Sequence, residues 1–372
     1  MNKKAIVAGH ICLDITPTFR EQNKSKLSDI ISPGKLINVG EADVHTGGAV
    51  ANTGLAMKIL GADVRLVAKT GNDEFGNIIS SIISKYDVDA SIKKCDGDAT
   101  SYSVVLAVPG LDRVFIHNPG ANDTFCFEDI PMEAVKESSL FHFGYPSLMK
   151  KMYEDSGNEL VKILRSVKET GCATSLDMAA VDPGTDAGRA DWTDILSKAL
   201  PFTDIFVPSI EEIMFMLDRE KYEQINSLNS DLDFTDKIDI QNDVIPIADK
   251  CHKMGAKIVL LKCGSRGMYY STADTDAIKQ VGNKLGLELS AWSDISGFMR
   301  SYKPEKIRSG TGAGDTSIAA FLTAILKGFD PKTCVRYAVC TGACCVSEYD
   351  ALSGLKSFDK IDEMLLNGWE QN

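Results

Sequence analysis

No stretch of this chain approaches the ~18 consecutive apolar residues of a membrane span, so a helical membrane protein is not expected. Clustered Lys and Arg are also missing: 40 basic residues face 52 acidic ones, for a formal charge of −12. A surface that tracks a nucleic-acid backbone draws its affinity from grouped cations, and this balance argues against such a partner. None of the ten cysteines forms a Cys-x-x-Cys pair. Cys340, Cys344 and Cys345 fall together in Ala-Val-Cys-Thr-Gly-Ala-Cys-Cys-Val, and they read as small hydrophobes of a tightly packed helix rather than metal ligands. His10, His45, His117 and His142 lie near expected strand ends without a ligand at metal spacing, and read as packing or lid residues. The first residues, Met-Asn-Lys-Lys-Ala-Ile-Val-Ala-Gly, have too short an apolar run for a secretory signal. They read as a first strand, and a cytoplasmic location is expected.

What is present is ordinary soluble composition, 44% hydrophobic and 25% charged, and one unusual stretch. Arg308-Ser-Gly-Thr-Gly-Ala-Gly-Asp-Thr316 puts three glycines and a carboxylate directly before an apolar run that reads as a buried helix from Asp315 to Lys327, stopped at Gly328. First-turn amides have no partners inside a helix, and the positive end of its dipole lies behind them. The N–H groups around Gly312, Ala313 and Gly314 therefore form a candidate cradle for a transferring phosphoryl group. Asp315, beside it, is placed to take the proton of an attacking hydroxyl. A Walker A loop needs Lys-Ser or Lys-Thr after its last glycine, and Asp315-Thr316 stands there. A dinucleotide fingerprint needs a glycine where this chain has Asp315.

Thr311-Gly-Ala-Gly-Asp315, followed by a small-residue helix, resembles the C-terminal signature of the PfkB, or ribokinase-like, carbohydrate kinases. Gly47-Gly-Ala-Val-Ala-Asn52, through Gly61 to Gly71-Asn-Asp-Glu-Phe-Gly76, resembles their N-terminal signature. The resemblance covers most of the chain and weakens over residues 218–245 and 272–306. It implies an ATP-dependent kinase, using Mg²⁺, that phosphorylates a hydroxyl of a sugar or sugar-like polyol. A nucleoside kinase, with Phe19, Tyr102 and Phe115 as aromatic walls, and a sensor that binds without turnover are the alternatives.

Organisation along the chain agrees with one α/β domain over 1–372. Apolar strands at Ala5 to Gly9, Val64 to Lys69, Leu140 to Phe143, Ala173 to Asp177, Ile205 to Val207 and Lys257 to Lys262 alternate with helices. The helices include Ala49 to Leu60, Phe75 to Tyr86, Asn158 to Glu169 and Pro246 to Met254. This pattern predicts a doubly wound, mostly parallel sheet with helices on both faces and ligands at the carboxyl ends of the strands. Residues 34–46 and 101–117 read instead as extended strands, the second pair turning at Pro109-Gly110. The resemblance makes them a small β-sheet lid, with strands within 15–46 and 98–120, whose exposed face offers a surface for a homodimer. A lid has a physical purpose, because a site that activates an alcohol also activates water unless closure excludes it.

By the same resemblance, Asp14, Gly47, Gly48, Asn52 and Asn122 hold the acceptor, although a turn cap also explains Asp14. Ser209, Glu212, Lys262, Gly264, Gly267 and Thr311 fall on the nucleotide side, with Glu212 ordering magnesium through water. Ser209 replaces an Asn of the pattern, and Lys262 either meets a phosphate or is solvated. Asp177 lies either near the reaction centre or in a loop cap. Tyr337 to Cys345 line the adenine cleft, and 272–306, with Trp292, supplies adenine or subunit contacts. Ser309 stands where relatives carry an Asp that helps hold a monovalent cation, so potassium activation is not assumed. Which acceptor is used does not follow from spacing.

Overall fold

The structure, a computed structural model, describes residues 3–19, 33–108, 114–229 and 232–372. In chain order its strands are β1 (Lys4–Gly9), β2 (Cys12–Pro17), β3 (Ala42–Gly47), β4 (Asp63–Gly71), β5 (Asp89–Cys95), β6 (Tyr102–Leu106) and β7 (Val114–Asn118). They continue as β8 (Leu140–Gly144), β9 (Ala173–Asp177), β10 (Ile205–Phe206), β11 (Ile258–Lys262), β12 (Gly267–Thr272) and β13 (Ser296–Arg300). Nine of them form one sheet in the order β13-β12-β11-β10-β9-β8-β1-β4-β5. From β11 to β5 every pairing is parallel; β12 joins antiparallel to both β11 and β13.

Both faces of this sheet are covered, as a parallel sheet requires. The two-residue period of a strand divides β1 between them. Ala5 and Val7 join a core with the helices Ala49–Ile59, Ala313–Leu326 and Pro331–Cys345, while Ile6 and Ala8 join one with Asn158–Glu169, Ile210–Leu217 and Ile245–Lys253. The helix Ala313–Leu326 is buried from Asp315 onward. Such a helix can present chemistry only at its end, and that end lies at the carboxyl edge of the strands.

The other four strands form a small separate sheet in the order β3-β2-β6-β7. Of the expected extended stretch 34–46, only Ala42–Gly47 pairs as a strand, and residues 35–41 have no regular element. The missing partner is β2, which starts before residue 15 and follows β1 after only His10 and Ile11. A single apolar run broken by two residues reads as one strand end, which hid the change of sheet. Strands β6 and β7 pair antiparallel as expected; the turn at Pro109-Gly110 lies outside the described residues.

Residues 272–306 also differ from expectation. They close the sheet as β13, and Trp292 is buried with its ring 6.4 Å from Phe321. An indole inside the core is not available for adenine or subunit contacts. Among the described residues no helix is long and apolar enough to cross a membrane.

Candidate active site

The helix after the glycine-rich stretch starts at Ala313, two residues earlier than the apolar pattern indicated, so Gly314 and Asp315 belong to its first turn. Gly312 caps it with φ 75°, and a Cβ there would stand 2.2 Å from the Ala351 methyl. Only glycine meets both demands. Ala313 N–H turns to the Gly310 carbonyl at 3.3 Å, which removes one of the three expected cradle amides. The N–H groups of Gly312 and Gly314 donate to no acceptor among the described residues.

Asp315 is 4% exposed and has neutral hydrogen-bond partners only. Its Oδ2 accepts from Asn52 Nδ2 at 3.0 Å, and its Oδ1 accepts from the Tyr145 hydroxyl at 2.7 Å and from Thr53 Oγ1 at 3.4 Å. Burial pushes the carboxyl above the usual carboxylate range, against the opposing pull of Asn52, Tyr145 and, more distantly, Lys262. A base that holds its proton more tightly than a free carboxylate is better matched to an alcohol.

Asp14 sits within β2 of the small sheet, opposite His45 of β3 and Ser103 of β6. Burial raises its carboxyl too, with Cys12 and Ser103 pulling the other way and Asp315 adding to the rise. A Cβ on Gly47 would lie 2.1 Å from Asp14 Oδ2. That glycine is thus needed to seat Asp14 against the crossing backbone. Gly48, at φ 84°, similarly makes room for His10, whose Nδ1 would be 2.5 Å from a Cβ. Asp14, Asn52 and Thr311 line one open cleft, about 630 Å³ with the solvent at its mouth included, together with Thr16, Phe115 and Asp350. Thr311, expected on the nucleotide side, therefore stands on the wall shared with Asp14 and Asn52.

Asn122 points elsewhere. Fully buried, it accepts from Ile11 N–H at 3.2 Å and donates to Ile11 C=O at 2.9 Å, so its amide is spent on the crossing between the two sheets.

On the other side of Asp315, Lys262 is buried and pairs with Asp177 at 2.8 Å, not solvated. Burial works against the lysine's charge, but Asp177, Glu212 and Asp315 outweigh it and its pKa is raised. Burial raises Asp177 as well, although Lys262 opposes that. With three carboxylates around one cation, the proton stays on the lysine. The Lys262 ammonium also lies 3.7 Å from where a Cβ on Gly314 would stand, so it borders the open amides. Ser209 and Glu212 form a reciprocal helix cap: Ser209 Oγ accepts from Glu212 N–H at 3.2 Å, and Glu212 Oε2 from Ser209 N–H at 2.7 Å. Gly264 and Gly267 leave space for Thr235 and the Met299 carbonyl, which accounts for both without a ligand.

Tyr337 stacks on Phe358 at 4.0 Å and donates to Asp362 at 2.8 Å. Cys340, Cys344 and Cys345 are buried with their thiols pushed up, as packing residues. His142 hydrogen-bonds Ser175 at 2.9 Å, His117 bonds Ser103 at 3.0 Å, and His10 lies 3.4 Å from His117. Among the described residues one group, Cys126, Glu128 and Glu159, has metal-like spacing, but Lys162 pairs with Glu128 at 2.8 Å and Phe127 N–H with Glu159 at 2.6 Å.

The structure thus brings Asp14, Gly47, Gly48, Asn52, Thr311, Gly312, Gly314, Asp315, Asp177, Lys262 and Glu212 around one region. Sequence reasoning missed Tyr145, which reaches Asp315 from the end of β8 with φ 64°. A Gly-Tyr-Pro at the carboxyl end of a parallel strand was the available signal.

The pfkB family carbohydrate kinase pattern matches residues 7–357. An uncharacterized sugar kinase of Archaeoglobus fulgidus is 25% identical over 303 residues, covering 81% of this chain and 98% of that protein. Fructokinase-1 of maize is 24% identical over 334 residues, covering 86% and 88%. The structure of Arabidopsis thaliana ribokinase complexed with ribose and ATP superposes with a TM-score of 0.70 over 98% of this chain and 99% of that one. At 19% identity this last likeness speaks for the ribokinase-like fold alone.

Proposed function

Since this chain belongs to the pfkB family of carbohydrate kinases, we propose that it transfers the terminal phosphoryl group of ATP to a hydroxyl of a sugar or sugar-like polyol, with Asp315 as the general base. The observation that carries the reading is the setting of Asp315. It is a buried carboxylate held by uncharged donors, at the start of a helix whose Gly312 and Gly314 amides remain open.

The residues fit a nucleotide triphosphate. Open amides at a helix N-terminus and the Lys262 ammonium beside Gly314 suit phosphoryl oxygens. Glu212 keeps one carboxylate oxygen beyond its cap, which suits contact with a hydrated magnesium ion; such an ion keeps several waters and needs few protein ligands. When bound, ATP with Mg²⁺ supplies the phosphoryl group and neutralises part of its charge.

Asp14 accepts hydroxyls of the acceptor, and Asn52 orients the ring. The reacting hydroxyl takes the place of Asn52 Nδ2 at Asp315 and gives up its proton there. Its oxygen then bonds to phosphorus as the bond to the ADP oxygen breaks. The Gly312 and Gly314 amides stabilise the charge on the transferred oxygens. The small sheet closes over this step and keeps water out. Ser309 Oγ accepts from Thr311 N–H at 3.0 Å and offers no carboxylate, so this reading assumes no monovalent cation.

The nucleoside alternative draws on Phe115, which lines the cleft with Tyr86 and Tyr349. Tyr102 packs edge-on against Phe75 at 5.4 Å, and Phe19 is buried beside Val108, so neither joins it. The face of the small sheet opposite Asp14 exposes Val44 and Ile116, which supports a homodimer through the lid. A monomer in sedimentation velocity at micromolar concentration would sink that part. ADP release measured over hexoses, pentoses, keto-deoxy acids, inositols and nucleosides tests the whole. One or more uncharged sugars should give turnover, and a sugar that binds without ADP release from any acceptor refutes the enzyme.

A further inference from the structure

We propose that the acceptor is an uncharged polyol, and that Asp350, on the turn following the helix Pro331–Cys345, is the residue that turns away acceptors carrying a phosphate or carboxylate. The inference rests on the kinase reading above and narrows it. Nothing in the glycine-rich signatures pointed to this turn.

The charged or chargeable groups lining the cleft, among the described residues, are Asp14, His45, Asp350 and the phenols of Tyr86 and Tyr349; no Lys or Arg lines it. His45, the one candidate cation, is engaged by Asp43 at 2.6 Å. Asp14 and His45 come from the lid strands, and Asp350 comes from the body of the protein. An acceptor in this cleft therefore meets carboxylates from both sides, with Asp315 behind the lining residue Asn52, which donates to it at 3.0 Å. Hydroxyls donate to such groups, whereas a phosphate or carboxylate on the acceptor would be repelled by each of them.

Asp350 is held in place by its own turn. Its Oδ1 accepts from Leu352 N–H and Ser353 N–H, both at 2.8 Å. Burial works against its charge, but the Ser353 hydroxyl and these amides outweigh it and keep the carboxyl below the usual range. It is negatively charged at neutral pH. The turn is also bound to the catalytic loop: Arg308 N–H donates to the Val346 carbonyl at 2.8 Å, Ser347 Oγ to the Lys306 carbonyl at 3.1 Å, and Ala351 fills the space a Gly312 side chain would take. Asp350 thus keeps a fixed position relative to the reacting hydroxyl. Phe115, Tyr86 and Tyr349 supply the apolar surface on which the C–H face of a ring can rest.

The test is kcat/KM of the full chain, by ADP release, for fructose, ribose and inosine against fructose 6-phosphate and 2-keto-3-deoxygluconate. The best uncharged acceptor should exceed each anionic one by roughly 100-fold. Asp350→Lys should narrow that ratio at least about tenfold, mainly by lowering KM for the anionic sugars. Asp350→Asn, nearly isosteric, should narrow it less and guards against a folding defect in the lysine variant. An anionic sugar used as well as the uncharged ones overturns the inference and leaves the kinase standing. A ratio unchanged in both variants, at wild-type melting temperature, removes Asp350 from specificity. No ADP release from any acceptor removes the kinase premise and this inference with it.

Discussion

Replacing Asp315 by Asn removes the proposed base and little else. An amide at 315 can keep its oxygen toward the Tyr145 hydroxyl, 2.7 Å away, and turn its NH₂ toward Asn52, whose own amide rotates to present oxygen. One hydrogen bond is exchanged for another and a buried charge disappears, so stability should change by no more than ~1 kcal/mol. Turnover should fall by roughly 10²- to 10⁴-fold, equivalent to about 2.7–5.5 kcal/mol of barrier. The pH profile separates this from a general defect. Burial raises the Asp315 carboxyl despite Asn52 and Tyr145, so wild-type kcat/KM should fall as pH drops through a value above the ordinary ~3.9 of Asp. The variant should lack that acid limb. Stability runs the opposite way: a group whose pKa rises on folding contributes stability at low pH that is lost as pH rises through its folded pKa. The variant, with nothing to titrate there, should gain on wild type toward neutral pH. ADP release and thermal melting across pH 4–9 measure both. Turnover within roughly threefold of wild type, with the acid limb intact, would refute the general-base assignment.

Tyr145→Phe deletes the 2.7 Å donor to Asp315 and should move the acid limb of kcat/KM upward by about one to two pH units, since a charged hydrogen bond contributes ~1.5–3 kcal/mol; an unmoved limb rejects that contact. Lys262→Met strands the buried Asp177 carboxylate and should cost ~3–5 kcal/mol in denaturant unfolding. Adding Asp177→Asn should restore the stability but not the turnover, because Lys262 also borders Gly314 in the proposed phosphoryl site; recovery of both would confine the lysine to a structural part. Gly47→Ala places a methyl where Asp14 Oδ2 now lies, 2.1 Å away, and should raise KM for the acceptor about tenfold with KM for ATP unchanged. A matched rise in both constants would point to a wider disturbance.

Six of the nine strands of the large sheet, β1, β4, β8, β9, β10 and β11, were legible because each is a short apolar run set among helical patterns, whereas β5 is a largely exposed strand and β12 and β13 join as antiparallel edge strands without a crossover helix. The glycine-rich loop at the helix start was legible because Gly312, Gly314 and Asp315 lie within four positions of one another. The rest depends on contacts between distant segments. Tyr145 reaches Asp315 across 170 positions, and Lys262 reaches Asp177 across 85. No local spacing encodes either pair. Asn122 and Trp292 misled for a related reason: a polar loop residue and an isolated aromatic read as ligand contacts, yet one fastens a chain crossing and the other fills the core. The strand holding Asp14 was hidden because only two residues separate it from β1.

That short crossing has a mechanical consequence. Asn122 holds both polar groups of Ile11, so the corner where the chain leaves one sheet for the other is fixed. If the small sheet swings about that corner, β7 on its outer edge sweeps the widest arc, because β3 runs through Gly48 straight into the helix Ala49–Ile59, whose Val50 N–H is tied to the His10 carbonyl at 3.1 Å. Asp14, three residues along from Ile11, would hardly travel and would keep its cross-strand neighbour His45 with it, while Phe115 on β7 would open and shut like the rim of a bowl. Entry and departure of the sugar would then be governed at the rim, and the hydroxyl anchor beneath would stay in register throughout each cycle.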